Sequence, residues 1–209
     1  MERYTTVARF AEASFTEKKS EFIGAARPCE TPEEAAAFVA ERRKKYPDAR
    51  HHVWAFVNPP GNIQKFDDDG EPKGTGGIPV MEVLKKESLT GVCVVVTRYF
   101  GGILLGAGGL ARAYARGARD AIEAAGIASF CRFCRWRVAL PYAMEQKAGY
   151  ELEKRRFTVI NKEFTENVAF TVQGKKEREK ELFSFFAELT GGRTAPVLVE
   201  EVFDKDDGT

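Results

Sequence analysis

A chain of 209 residues with 44% hydrophobic content is long enough for one large domain or two small ones, and too apolar for a disordered segment. Its opening run, MERYTTVARF, is charged and lacks an apolar core, and the strongly apolar run at 92–96 is short, which excludes a secretory signal and a membrane-spanning helix; four cysteines without such a signal place the chain in a reducing compartment, the cytoplasm by default. The net charge of +1 hides a bipolar distribution: seven arginines (98, 112, 116, 119, 132, 135 and 137) stand against Asp120 and Glu123, seven less two giving a local +5, while acid gathers at 67–71 and at Glu200, Glu201, Asp204, Asp206 and Asp207.

Alternation predicts two opening strands, 5–10 and 21–27, joined near 16–19. Thr31, Pro32 and Glu34 then spell a helix start, with Thr31 as N-cap, Pro32 at the first helical position and Glu34 closing a capping box. Ala35, Phe38, Val39, the stem of Arg42 and Tyr46 follow at helical spacing until Pro47 ends the element. A strand is predicted at 52–57, stopped by Asn58, Pro59, Pro60 and Gly61. After an acidic loop come a short helix at 78–86, with Ile78, Met81 and Leu84 inward, and a buried strand at 91–98. A glycine-dense turn leads into a helix at 107–125. On it Leu110, Tyr114, Ala118, Ala121 and Ala125 form an apolar stripe, Arg112, Arg116 and Arg119 recur on another face, and Gly126 is the C-cap.

The pattern restarts at Ala128. A strand carrying Phe130, Cys134, Trp136, Val138 and Leu140 precedes a helix at 141–156, strands at 158–163 and 168–172, a helix with Leu182, Phe185, Phe186 and Leu189 inward that ends at Gly191 and Gly192, and a strand at 197–203. The order β-α-β-β-α-β is the split βαβ of ferredoxin-like domains. Two domains follow, 1–127 and 128–209.

Several constellations carry chemistry. The GGILLGAGGL turn (Gly101, Gly102, Gly106, Gly108, Gly109) ahead of a helix can cradle an anion on free N–H groups, with Arg98 and Arg112 as flanking donors, or can simply let helix and sheet pack closely. The row Arg112, Arg116, Arg119 is the strongest nucleic-acid feature, because guanidinium forks fit phosphates, and Tyr99 and Phe100 lie beside the turn where an exposed ring could stack on a base; the alternative is a solvated helix face and two core aromatics. Asp67, Asp68 and Asp69 with Gly70, Glu71, Gly74 and Thr75 read as turns in which Asp side chains bond their own backbone, rather than as a cation loop, since the carboxylates are contiguous instead of alternating. Cys131 and Cys134 on a strand point to opposite faces, Cys29 and Cys93 are isolated in sequence, and four ordinary thiols are expected. His51 and His52 fail the same test as a joint metal site, although one of them can face the glycine turn. No nucleophile partner, Gly-x-Ser-x-Gly elbow or Walker-type lysine accompanies them, so no catalytic residue, metal or cofactor is assigned.

The runs DDDGEPKGTGGIP (67–79) and VVVTRYFGGILLGAGGLARAY (94–114), with KKSEFIGAA (18–26) and ARHHVWAF (49–56) upstream, resemble the signature of the YigZ/IMPACT family of translation-linked proteins. The resemblance implies an α/β plus α+β architecture: an N-terminal two-layer α/β domain similar to the fold shared by a small-subunit ribosomal protein and domain IV of elongation factor G, and a ferredoxin-like C-terminal domain. It further implies a non-enzymatic regulator that contacts RNA, the ribosome or a ribosome-associated protein. In eukaryotic relatives the N-terminal domain competes for an activator of an amino-acid-starvation kinase, a partner not carried over to this chain. The expected binding surface comprises Asp68, Asp69, Gly70, Glu71, Gly74, Thr75, Arg98, Tyr99, the five turn glycines and Arg112, with Arg98, Arg112, Arg116 and Arg119 as phosphate donors. The rival reading is a small-molecule or nucleotide-binding enzyme with the glycine turn as its phosphate site.

Overall fold

The computed structural model describes residues 3–206, so Asp207 of the acidic C-terminal group lies outside the described residues. The chain divides into two compact units between Ser129 and Phe130.

The first unit contains β1 (Arg3–Val7), β2 (Ala11–Glu17), β3 (Ser20–Pro28), α1 (Pro32–Lys45), β4 (His51–Val57), β5 (Gln64–Asp67), α2 (Gly77–Lys86), β6 (Val92–Tyr99) and α3 (Ala107–Ala125). Five strands form an antiparallel sheet in the order β2-β3-β6-β4-β5. Successive side chains on β6 alternate between its faces. Val92, Val94 and Val96 meet α2 and α3 in one apolar cluster, while Cys93 and Val95 meet Ala35, Phe38 and Val39 of α1 in another. The α/β pairing is therefore present, and α1 on the opposite face adds a third layer to the two expected.

Local signals account for much of this. Thr31 Oγ1 accepts from Glu34 N at 3.2 Å, and the Glu34 carboxylate reaches back to Glu30 N at 2.8 Å, one residue earlier than the standard capping box. Gly126 closes α3 with φ +69°. Three expectations are corrected. The opening region holds an additional strand, β2, which forms a hairpin with β3; β5 appears where none was expected; and Ile78 is exposed at the start of α2, its inward places being taken by Val80, Met81, Val83 and Leu84. Two close approaches demand glycine: a Cβ at Gly24 would lie 2.1 Å from Gly117 O of α3, and one at Gly101 would lie 1.9 Å from Lys19 O of the hairpin turn.

The second unit is built from β7 (Ile127–Leu140), α4 (Tyr142–Lys154), β8 (Thr158–Phe164), β9 (Val168–Lys175), α5 (Glu179–Thr190) and β10 (Val197–Lys205). Within it the strand order is β10-β7-β9-β8, the ferredoxin-like arrangement. Trp136, Val138 and Leu140 of β7 join Leu152 of α4 and Leu182 and Phe186 of α5 in its core.

Candidate functional site

The acidic loop between β5 and α2 is held by its own carboxylates. Asp68 Oδ2 accepts from Gly74 N at 2.7 Å, and Oδ1 accepts from Gly76 N at 2.9 Å and Gly77 N at 2.8 Å, so Asp68 caps α2 from a distance along the chain. Burial works to raise the Asp68 pKa, but these three N–H donors outweigh it and hold the carboxyl below its ordinary value. Asp67 Oδ1 accepts from Asp69 N, while Asp69 accepts from His52 N at 2.6 Å and pairs with Arg43 at 2.6 Å. Gly70 and Gly74 take φ +85° and +78°, and Thr75 Oγ1 donates to Pro72 O. Among the described residues no cluster of three or more His, Cys, Asp or Glu side chains is arranged to hold a metal ion.

Glu71 turns inward. Its Oε1 accepts from Arg98 Nη1 at 2.7 Å and from Tyr114 OH at 2.6 Å, joining the acidic loop, β6 and α3 in one buried network. Burial, followed by the Glu71 carboxylate, pushes the Tyr114 phenol far up from its ordinary pKa. Arg98 Nη2 donates to Ser20 Oγ, which accepts in turn from Gly101 N at 3.1 Å and so anchors the glycine turn. Arg98, expected as an exposed phosphate donor, is thus corrected to an internal cation: it is 5% exposed and neutralised by Glu71. Tyr99 points to the other face of the sheet, edge-on to Tyr46, so it does not join Arg98 beside the turn, whereas Phe100 is exposed.

Of the two histidines, His51 faces the glycine turn. It stands directly opposite Arg98 in the β4–β6 pairing, with Nδ1 2.8 Å from Asp69 O and Nε2 3.8 Å from Glu71 Oε1. His52 is buried on the α1 side against Thr97 Oγ1, and burial lowers its pKa. A cleft of about 380 Å³ lies over this network, bounded by Pro72, Phe100, Leu104 and the start of α3.

Arg112, Arg116 and Arg119 are exposed along α3. They line a second groove, of about 340 Å³, with Phe15, Glu17 and Lys18 of the β2–β3 hairpin. Arg116 lies 4.1 Å from the Phe15 ring centroid and 3.4 Å from the Asp120 carboxylate; among the described residues neither Arg112 nor Arg119 has a carboxylate in ion-pair reach. The hairpin turn is unusual. Lys18 and Lys19 occupy its two central positions at φ +44° and +64°, where asparagine and glycine are the favoured residues. Gly102 and Gly106 also take positive φ, and Gly108 and Gly109 lie in the first turn of α3, which carries no side-chain cap.

All four cysteines are free and buried. Cys29 and Cys93, far apart in sequence, are brought together: their thiols share a hydrogen bond, which with burial pushes Cys93 well up. No helix among the described residues is long and apolar enough to cross a membrane.

Comparison with known proteins agrees with this architecture. The Impact N-terminal domain matches residues 18–122, and a domain of unknown function (DUF1949) matches 138–193. The IMPACT family member YvyE of Bacillus subtilis is 35% identical over 192 residues, covering 91% of this chain and 88% of its own. The chain belongs to the IMPACT family. An IMPACT family member of Haemophilus influenzae is 35% identical over 187 residues, covering 88% of this chain and 90% of its own, and the IMPACT family member YigZ of Escherichia coli is 45% identical over 109 residues, covering 51% and 53%. A crystal structure of a hypothetical protein shares the fold at a TM-score of 0.64 with 30% identity, covering 96% of this chain and 98% of that one.

Proposed function

We propose that this IMPACT-family chain is a non-enzymatic regulator associated with translation, docking on ribosomal RNA through the groove between α3 and the β2–β3 hairpin. The observation that carries the reading is the hairpin tip. Two lysines occupy left-handed backbone positions that cost each about 1–2 kcal/mol, and local strain of this kind is kept where a site needs it. Lys18 shares its groove with Arg112, Arg116 and Arg119. Along a helix rising 1.5 Å per residue, Arg112 and Arg119 stand about 10 Å apart, a span that meets more than one phosphate. Phe15 beneath Arg116 supplies an apolar floor, and the uncapped start of α3 adds a partial positive charge at one end.

Phosphate binding of this sort releases counterions, so log affinity falls by about 0.7 per contact on single strands and about 0.9 on duplex. Four cations in the groove predict a slope of about −3 against log salt for full-length protein titrated onto ribosomal subunits or ribosomal RNA. Association that ignores salt between low and moderate ionic strength removes the proposal.

A further inference from the structure

We propose that the cleft over the Glu71–Arg98 network is a separate binding site, for a small phosphate monoester that carries an apolar or aromatic body. It shares the start of α3 and Leu105 with the RNA groove but uses none of the α3 arginines, so substitutions at Arg50 and at Arg112 tell the two apart.

The cleft, at about 380 Å³, is within the size range of small-ligand sites. Its walls divide by chemistry. Pro72, Phe100, Leu104, Leu105 and Leu110 form an apolar side, and Leu104 is 83% exposed, a large cost in water for a residue at the mouth of a cavity. The other side is polar and cationic. Arg50 is exposed there with no carboxylate in ion-pair reach among the described residues. Gly106 and Ala107 bring the uncapped start of α3 to the same rim, presenting free N–H groups and the positive end of the helix dipole. Beneath them lies Arg98, 5% exposed, whose buried Nε–H has no partner among the described residues.

Charge decides the kind of ligand. Glu71 and Arg98 cancel, which leaves Arg50 and the helix start uncompensated, and a phosphate can answer both at once. His51 adds a directional requirement. The Asp69 carbonyl can only accept, so Nδ1 carries the hydrogen, and Nε2 is left on the cleft wall beside Glu71. A hydroxyl close to the phosphate would meet it. Anion, hydroxyl and flat apolar body together describe a nucleoside monophosphate; the 5′-phosphorylated end of an RNA strand shares that chemistry.

The test is isothermal titration of the full-length chain with the four nucleoside 5′-monophosphates, with phenyl phosphate, with inorganic phosphate and adenosine separately, and with a short oligoribonucleotide bearing either a 5′-phosphate or a 5′-hydroxyl. The expected result is saturable binding of at least one monoester, about tenfold or more tighter than either fragment, weakened about tenfold by Arg50→Ala and similarly by Leu104→Asp. Both substituted residues are exposed, so the variants should fold, and a melting curve checks that they do. Arg112→Ala should leave monoester binding unchanged, which keeps this outcome separate from loss of the RNA groove. Binding of the 5′-phosphorylated oligonucleotide alone, abolished by Arg50→Ala, assigns the cleft to an RNA end instead of a free metabolite. Absence of any saturable monoester or 5′-phosphate binding, or binding indifferent to Arg50→Ala, overturns the site.

Discussion

Glu71 is the residue on which the signature region depends most heavily. Its carboxylate is the shared acceptor for a buried guanidinium and a buried phenol, and removing one member of a buried pair leaves the other charge uncompensated at a cost of about 3–5 kcal/mol. Glu71→Gln should therefore lower stability by about that amount in urea denaturation, and adding Arg98→Met should recover more than half of it, since the stranded charge is gone. A double variant no more stable than the single one would show that the pair does not account for the loss. Asp68 acts by a different mechanism. Its folded-state pKa is depressed, so its contribution is fully present above the unfolded value near 3.9 and is lost as pH falls through the lower folded value. Asp68→Asn should cost about 2 kcal/mol at neutral pH through the three backbone donors it no longer satisfies as a carboxylate. The gap between variant and wild type should narrow as the pH is taken from 5 towards 3, and thermal melts across that range would measure it.

At the scale of elements, the β2–β3 hairpin sets stability against binding. Replacing Lys18 by Asn and Lys19 by Gly supplies the pair that such a turn favours, and relief of the left-handed strain should stabilise the protein by about 1 kcal/mol. The same change removes two cations, so affinity for ribosomal RNA at low salt should fall while the melting temperature rises. A stabilised variant with undiminished binding would mean that the lysines are tolerated rather than used. The hairpin also shows where sequence reasoning reaches its limit. Helix α1 was legible because Thr31, Pro32 and Glu34 act within four residues of one another, and α3 because its apolar stripe is long. Strand β2 was not, since AEASFTE offers only Phe15 and Thr16 as β-formers among alanine, serine and glutamate, and β5 is an edge strand exposed at every position, without the alternation that marks a half-buried one. Ile78 has the right spacing for the core but stands in the first turn of α2, ahead of the packed part of the helix. The distant cap from Asp68 to α2 and the Cys29–Cys93 pair join residues whose partners are fixed only once the sheet has formed.

The whole molecule redistributes the charge that the linear sequence displays. Of the seven arginines between 98 and 137, Arg98 is matched by Glu71, Arg132 by Glu201 at 3.3 Å, Arg135 by Glu200 at 2.7 Å and Arg137 by Glu163 at 2.8 Å. The acidic C-terminal strand that made the chain look bipolar lies alongside β7, so part of the basic excess and part of the acidic one cancel across a strand pair. What is left over is the row on α3, where Arg112 and Arg119 have no carboxylate in reach among the described residues and Arg116 has only the half-exposed Asp120, and a linear charge count cannot distinguish it from the rest, because the partners that neutralise the other four arginines lie from 26 to 69 residues away. If docking is electrostatic, position should matter and arginine number should not. Arg135→Ala with Arg137→Ala removes two positive charges that already have partners; exposed pairs of this kind are worth about 0–1 kcal/mol each, so stability should change little and RNA affinity and its salt slope should stay near wild type. Arg112→Ala with Arg116→Ala removes the same formal charge from the groove and should flatten the slope by about 1.4–1.8 while weakening binding at low salt. Measured side by side on full-length protein, the two double variants separate a localised docking face from diffuse attraction: equal losses from both would point to net charge, and the α3 groove would lose its claim.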